Sequence, residues 1–184
     1  MFRGFIAVDV DDLPLINNFM GELRESGAQL KLVEKENLHL TLKFLGDTRE
    51  DDIDKIEEIM RESLVGVKPF KILLKDVGFF PGRNYIKIVW IGVENGEKLV
   101  KIAESLNEKL EKLGFKREKK GFVPHLTIAR VKSSKNKDEL LKVVEKYRGI
   151  IFGEQEIKDI KLFRSDLTPK GPVYSVVREI NIKD

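Results

Sequence analysis

The chain has no cysteine, two histidines, two glutamines and a single tryptophan among its 184 residues. Without cysteine it has neither disulfides nor thiolate-held metals. No apolar run approaches the roughly 20 residues that a membrane-spanning helix needs. The first apolar stretch, Phe2 to Val8, is short, is cut by Arg3 and is closed by Asp9. No secretory signal is expected, and the expectation is a cytoplasmic chain with no membrane partner. Neither sign of charge dominates: 34 Lys and Arg against 31 Asp and Glu leave +3. That balance alone gives no argument for a nucleic-acid partner.

The hydrophobic fraction, 41%, is ordinary, whereas the charged fraction, 35%, exceeds the average of about 25%. The excess is mostly Lys and Glu. With few Gln and no Cys, the composition matches that of hyperthermophile proteins. The length suits one domain over residues 1–184, arranged as two intimate lobes with ample core.

Hydrophobic spacing gives the element order. Phe2 to Val10 reads as a strand. Asp11, Asp12 and Pro14 open a helix that ends at Gly27. Gln29 to Val33 is a short strand, and Leu38 to Leu45 a longer one stopped by Gly46. Thr48 and Asp51 begin a helix closed by Gly66. Phe70 to Val77 reads as a strand, Gly78 to Asn84 as a loop and Tyr85 to Val93 as a strand. A helix from about Gly96 to Leu113 ends at Gly114. A strand around His125 and a helix over Lys137 to Tyr147 come next. Ile150 to Phe163 is mostly strand, Ser165 to Gly171 a turn and Val173 to Ile182 a last strand.

Both histidines sit in one pattern, His39-Leu40-Thr41-Leu42 and His125-Leu126-Thr127-Ile128. Residues two apart on a strand share a face. Each imidazole therefore stands beside a hydroxyl, with apolar side chains, Phe44 among them on the first strand, on the other side. His39 follows Gly27 by 12 residues and His125 follows Gly114 by 11. Helix, strand, His-Thr strand and helix thus occur twice in matching register. Such units tend to pack about a pseudo-twofold axis, which brings the two His-Thr strands to one central cleft. The expected architecture is an α/β fold of α+β type, with antiparallel-rich sheets inside and helices outside.

Two imidazoles facing one cleft can work as base and acid near neutral pH. That division suits in-line displacement at phosphorus, where attacking and leaving oxygens lie on opposite sides. The Thr41 and Thr127 hydroxyls can donate to non-bridging oxygens. A cyclic phosphodiester fits, because its opening needs no metal once two proton-transfer groups are placed. With two histidines and no cysteine, a histidine-rich metal site is hard to build. No cofactor and no metal are expected.

These motifs, with Arg3-Gly4-Phe5-Ile6-Ala7-Val8, Asn37 to Gly46, Pro124 to Arg130 and the Leu162 to Tyr174 tail, resemble the two-histidine phosphoesterase superfamily. More narrowly, the chain resembles the bacterial and archaeal RNA 2′,3′-cyclic phosphodiesterases, historically called 2′–5′ RNA ligases. The resemblance spans essentially the whole chain. It implies hydrolysis of an RNA 2′,3′-cyclic phosphate end to a 2′-phosphate, with weak reversible 2′–5′ joining. His39 is then the acid and His125 the base, and Thr41, Thr127 and Arg130 hold the phosphate. The implied partner is RNA with such ends, tRNA fragments included, and the expected state is a monomer.

Other residues carry two readings each. By strict alternation Arg130 leaves the His125 face and needs a bulge or a strand end to reach the cleft. Lys43 shares the face of His39 or is simply solvated. Phe5, Phe79, Phe80 and Tyr174 form a base-stacking platform or pack in the core. Lys116, Arg117, Lys119 and Lys120 guide RNA phosphates or form a solvated surface, and Lys132 to Lys137 is a loop and helix start. Rival functions are a phosphodiesterase for a small cyclic nucleotide or an ADP-ribose cyclic phosphate, and an RNA-end-binding module without catalysis.

Overall fold

The computed structural model describes residues 1–183. Nine strands and four helices are seen among them: β1 (Phe2–Asp9), α1 (Pro14–Glu25), β2 (Leu30–Leu32), β3 (His39–Thr48), α2 (Ile53–Ser63), β4 (Phe70–Gly82), β5 (Tyr85–Glu94), α3 (Glu97–Glu111), β6 (His125–Val131), α4 (Lys137–Lys146), β7 (Ile151–Ile157), β8 (Asp159–Thr168) and β9 (Gly171–Asn181). One sheet runs β3-β1-β8-β9, the other β2-β6-β5-β4-β7, and every pairing is antiparallel. Setting β2 aside, the two orders correspond strand for strand, which is the expected pseudo-twofold plan.

The connections cross between halves. Helix α1 follows β1 in the chain but packs beside α4 against β2 and β7 of the second sheet. Helix α3 follows β5 but packs beside α2 against β3 of the first sheet. Each half thus lends a helix to the other, and one continuous core of buried side chains takes residues from both sheets. The helices turn their apolar stripes inward, Ile16, Phe19, Met20 and Leu23 on α1 and Leu99, Ile102, Ala103, Leu106 and Leu110 on α3. Gly27, Gly66, Gly114 and Gly149 follow the four helices with positive φ, so all four stops fall where the sequence places them.

Several boundaries differ from the sequence reading. No side chain caps α1: Asp12 instead accepts from Asn17 Nδ2 at 2.7 Å and pairs with Lys35. Thr48 is buried and donates to the Gly46 carbonyl, so α2 is entered through a 3-10 turn over Glu50–Asp52. Gly46 does not stop β3, since it pairs with Gly4 inside the ladder. Gly78 to Gly82 is strand, not loop. Gly78 stands opposite Trp90, and a Cβ there would penetrate the indole, so the glycine gives the large ring its place on the sheet. Strand β8 likewise runs on to Thr168, leaving a tight hairpin before Gly171. The repeat is less complete than its spacing suggests. No strand lies between α3 and β6, because residues 115–124 are irregular where the first half has β2.

Candidate active site

Strands β3 and β6 pack against each other across the two sheets, so the two motifs meet at the centre of the molecule. On each strand the burial alternates as the side-chain period requires. Leu40 and Leu42, and Leu126 and Ile128, are buried in the core, whereas His39, Thr41, His125 and Thr127 are partly exposed. Burying each such aliphatic side chain contributes about 1.5–3 kcal/mol, which fixes the strand's rotation and thereby the direction of the polar pair.

Both imidazoles are held in the same way. His39 Nδ1 lies 2.6 Å from the Asn37 carbonyl and His125 Nδ1 lies 3.0 Å from the Val123 carbonyl. A carbonyl only accepts, so Nδ1 carries the proton in each ring and Nε2 is left for chemistry. In both motifs the partner is two residues before the histidine. The short turn that precedes each strand sets the tautomer.

The surroundings of the two rings differ. His39 lies in an aromatic cluster, 5.0 Å from the Phe5 ring, 5.4 Å edge-on from Tyr174 and 6.4 Å from Phe163. Burial there lowers its pKa from the ordinary histidine value, with the Asn37 carbonyl and the Asp9 carboxylate opposing the shift. His125 meets Phe80 edge-on at 5.4 Å, and Phe80 in turn rests 5.4 Å from Trp90. Tyr174 is pushed up by burial, while the charge of Arg130 on the opposite sheet pulls it down. Tyr174 stands beside His39 on the first sheet, and Arg130 belongs to β6 of the second.

Strict alternation puts Arg130 on the wrong face, but β6 carries a bulge. Between Val89 and Trp90 the register slips, leaving Ile128 as the extra residue. The bulge reverses the phase, so buried Ile128 and Ala129 are followed by exposed Arg130 on the side of His125 and Thr127. Strand β3 has the same slip at Leu42. It corrects two readings. Phe44 is not a core residue but 64% exposed, its ring 6.3 Å from Phe5 on the cleft side. Lys43 is neither in the cleft nor solvated. It is 3% exposed, and its amino group donates to Asn107 Oδ1 at 2.9 Å and to the Lys116 carbonyl at 2.6 Å. The bulge on β3 is the feature that sequence reasoning missed, and the buried run Leu42-Lys43 gives no sign of it; the bulge on β6 is the one that Arg130 needs to reach the cleft.

Of the aromatic candidates, Phe5 and Tyr174 line the His39 side and Phe80 the His125 side, whereas Phe79 packs against the main core. Lys116, Arg117, Lys119 and Lys120 are exposed on the irregular segment before β6, and Arg117 pairs with Glu111 at 2.9 Å. Among the described residues no cluster of three or more His, Asp or Glu has metal-ligand geometry, and no helix is long and apolar enough to cross a membrane.

A duplicated fold of two antiparallel sheets, each giving a His-x-Thr strand to one cleft, is the plan of the two-histidine phosphoesterases. Residues 13–166 match the family model described as the 2′-5′ RNA ligase superfamily, and the chain belongs to that family. It is 47% identical over 179 residues to a Methanocaldococcus jannaschii protein named RNA 2′,3′-cyclic phosphodiesterase, covering 96% of this chain and 99% of that one. A protein of the same name from Archaeoglobus fulgidus is 44% identical over 182 residues, covering 96% and 98%. Among solved structures, that of TT0787 of Thermus thermophilus superposes with a TM-score of 0.81 at 27% identity, covering 98% of this chain and 97% of the other.

Proposed function

We propose that the chain is a phosphoric diester hydrolase that opens the 2′,3′-cyclic phosphate at an RNA end to a 2′-phosphate and, in reverse, joins ends weakly through a 2′–5′ bond. The relatives named RNA 2′,3′-cyclic phosphodiesterase support the substrate class. The observation that carries the mechanism is the matched tethering of both Nδ1 atoms, which leaves two Nε2 atoms for one cleft. His125 Nε2 takes a proton from water as it attacks phosphorus. His39 Nε2 gives a proton to the departing 3′ oxygen. Burial makes the His39 imidazolium a stronger acid than an exposed one, and the anionic substrate favours the charged ring once it is bound. Thr41 and Thr127 donate to the non-bridging oxygens, and Arg130 neutralises the charge that gathers there. The proton gained by one histidine and the proton lost by the other balance over the turnover. Two proton-transfer groups suffice for this step, so no cofactor is assigned to it. The reading includes tRNA fragments among the substrates and a cytoplasmic monomer as the working form.

The test is the product of a short RNA ending in a 2′,3′-cyclic phosphate. The expected product is a 2′-phosphate end, formed also in the presence of chelator. His39→Ala and His125→Ala each lose about 10²–10⁴ in rate while keeping the wild-type circular dichroism. A 3′-phosphate product, or either variant at the wild-type rate, overturns the mechanism.

A further inference from the structure

We propose that Lys31 binds the phosphate on the 5′ side of the terminal nucleotide, so that the cleft takes the end of an RNA chain in preference to a free cyclic nucleotide. The inference rests on the cyclic phosphate lying between His39 and His125. Strand β2 is the outermost strand of its sheet, and Lys31 stands directly opposite Arg130 in the β2–β6 register. Opposite residues of an antiparallel pair share a face, with Cβ atoms about 4.5–5.5 Å apart. Lys31 therefore shares the cleft face onto which the β6 bulge has turned Arg130. Its amino group reaches the β8–β9 turn, where a Cβ on Gly171 would lie 3.3 Å from Nζ. That turn is fastened beside His39, because Asn37 Nδ2 donates to the Pro172 carbonyl at 3.2 Å.

Two cations directly opposite each other on a strand pair repel. Among the described residues neither Lys31 nor Arg130 has a carboxylate partner within ion-pair distance. Anions beside them relieve the repulsion. Arg130 reaches back to the cyclic phosphate, whereas Lys31, one strand farther out by about 4.8 Å, is left for a second phosphate. The next anionic group of an RNA end is the phosphate at the 5′ oxygen of the same ribose.

The test compares kcat/KM for three substrates, a nucleoside 2′,3′-cyclic phosphate, the same compound with a 5′-phosphate, and a dinucleotide ending in the cyclic phosphate. Wild-type protein is expected to favour the dinucleotide over the nucleoside compound by about tenfold, the effect of one charge-assisted contact, expressed in KM. Lys31→Gln removes most of that preference, Lys31→Glu removes it fully, and Lys31→Arg keeps it. In Lys31→Gln the slope of log kcat/KM against log salt on the dinucleotide falls by about 0.7, the share of one phosphate contact on a single strand. A Lys31-dependent gain with the 5′-phosphorylated mononucleotide as well assigns the contact to the phosphate itself, and a gain with the dinucleotide alone assigns it to the phosphodiester. If all three substrates are turned over and the preference is the same in wild type and Lys31→Gln, the inference is wrong. If wild type turns over none of them, the reading of the histidine pair fails instead.

Discussion

Phe44 and Arg130 occupy the same place in the two halves of the molecule. Each stands five residues after its histidine and is carried to the cleft side by a bulge, at Leu42 on β3 and at Ile128 on β6. The duplication thus ends in an asymmetry. The side around His39 is aromatic, with Phe5, Phe44 and Tyr174, whereas the His125 side sets the cation Arg130 beside Phe80. A substrate with an apolar base and an anionic phosphate meets a site that distinguishes its two ends.

Replacing Arg130 tests the cationic side. Arg130→Ala should lower kcat/KM on a cyclic-phosphate RNA by about 10²-fold, the loss of a charge-assisted bidentate contact to phosphate. Arg130→Lys should recover only part of it, because an ammonium lacks the planar fork. Steady-state kinetics at fixed salt decide, and full rescue by Lys would reduce the role to net charge.

The His39 environment predicts a titration. Burial penalises the imidazolium, so in the free protein His39 should titrate below the ordinary value of about 6.5 in an NMR pH series. Phe5→Leu, which uncovers the ring, should move it up. The linkage to stability has a definite sign. The folded pKa is the lower one, so between the two values the unfolded chain binds more protons. Stability therefore falls as pH drops through about 6.5 toward the lowered folded value, and His39→Asn should lose that part of the pH dependence in denaturant melts.

Lys43 is a structural cation. Its amino group ties β3 to the carbonyl of Lys116, and Asn107, which accepts from it, also accepts from the Glu118 amide at 2.9 Å. Burial lowers its pKa, with Glu118 and Glu111 opposing. Lys43→Ala leaves the Lys116 carbonyl without this donor and opens a void, and should cost about 2–4 kcal/mol in chemical unfolding. A change below about 0.5 kcal/mol would mean that water replaces the amine without penalty.

Gly78→Ala addresses the floor beside His125. The added methyl meets the Trp90 indole, which must leave its place next to Phe80. Destabilisation of about 1–3 kcal/mol, with a shift in tryptophan fluorescence, is expected. An unchanged spectrum and melting point would show that the ring adjusts freely.

The sequence by itself determined the pair of His-x-Thr strands, the helices with their glycine stops and the doubled order, because each rests on short-range rules: a period of two along a strand, a period of 3.6 along a helix and a positive φ at each stop. Tertiary structure alone decided which way the residues beyond the two motifs point. A bulge depends on the strand alongside, so the sides taken by Phe44, Lys43 and Arg130 were settled by the registers with β1 and β5. The same holds for Gly78 and Pro81, which read locally as a loop and lie in β4 because Trp90 and Ile86 on the neighbouring strand pair with them. The lowered pKa of His39 also belongs to the fold, since the rings that bury it come from β1, β8 and β9, far away in the chain.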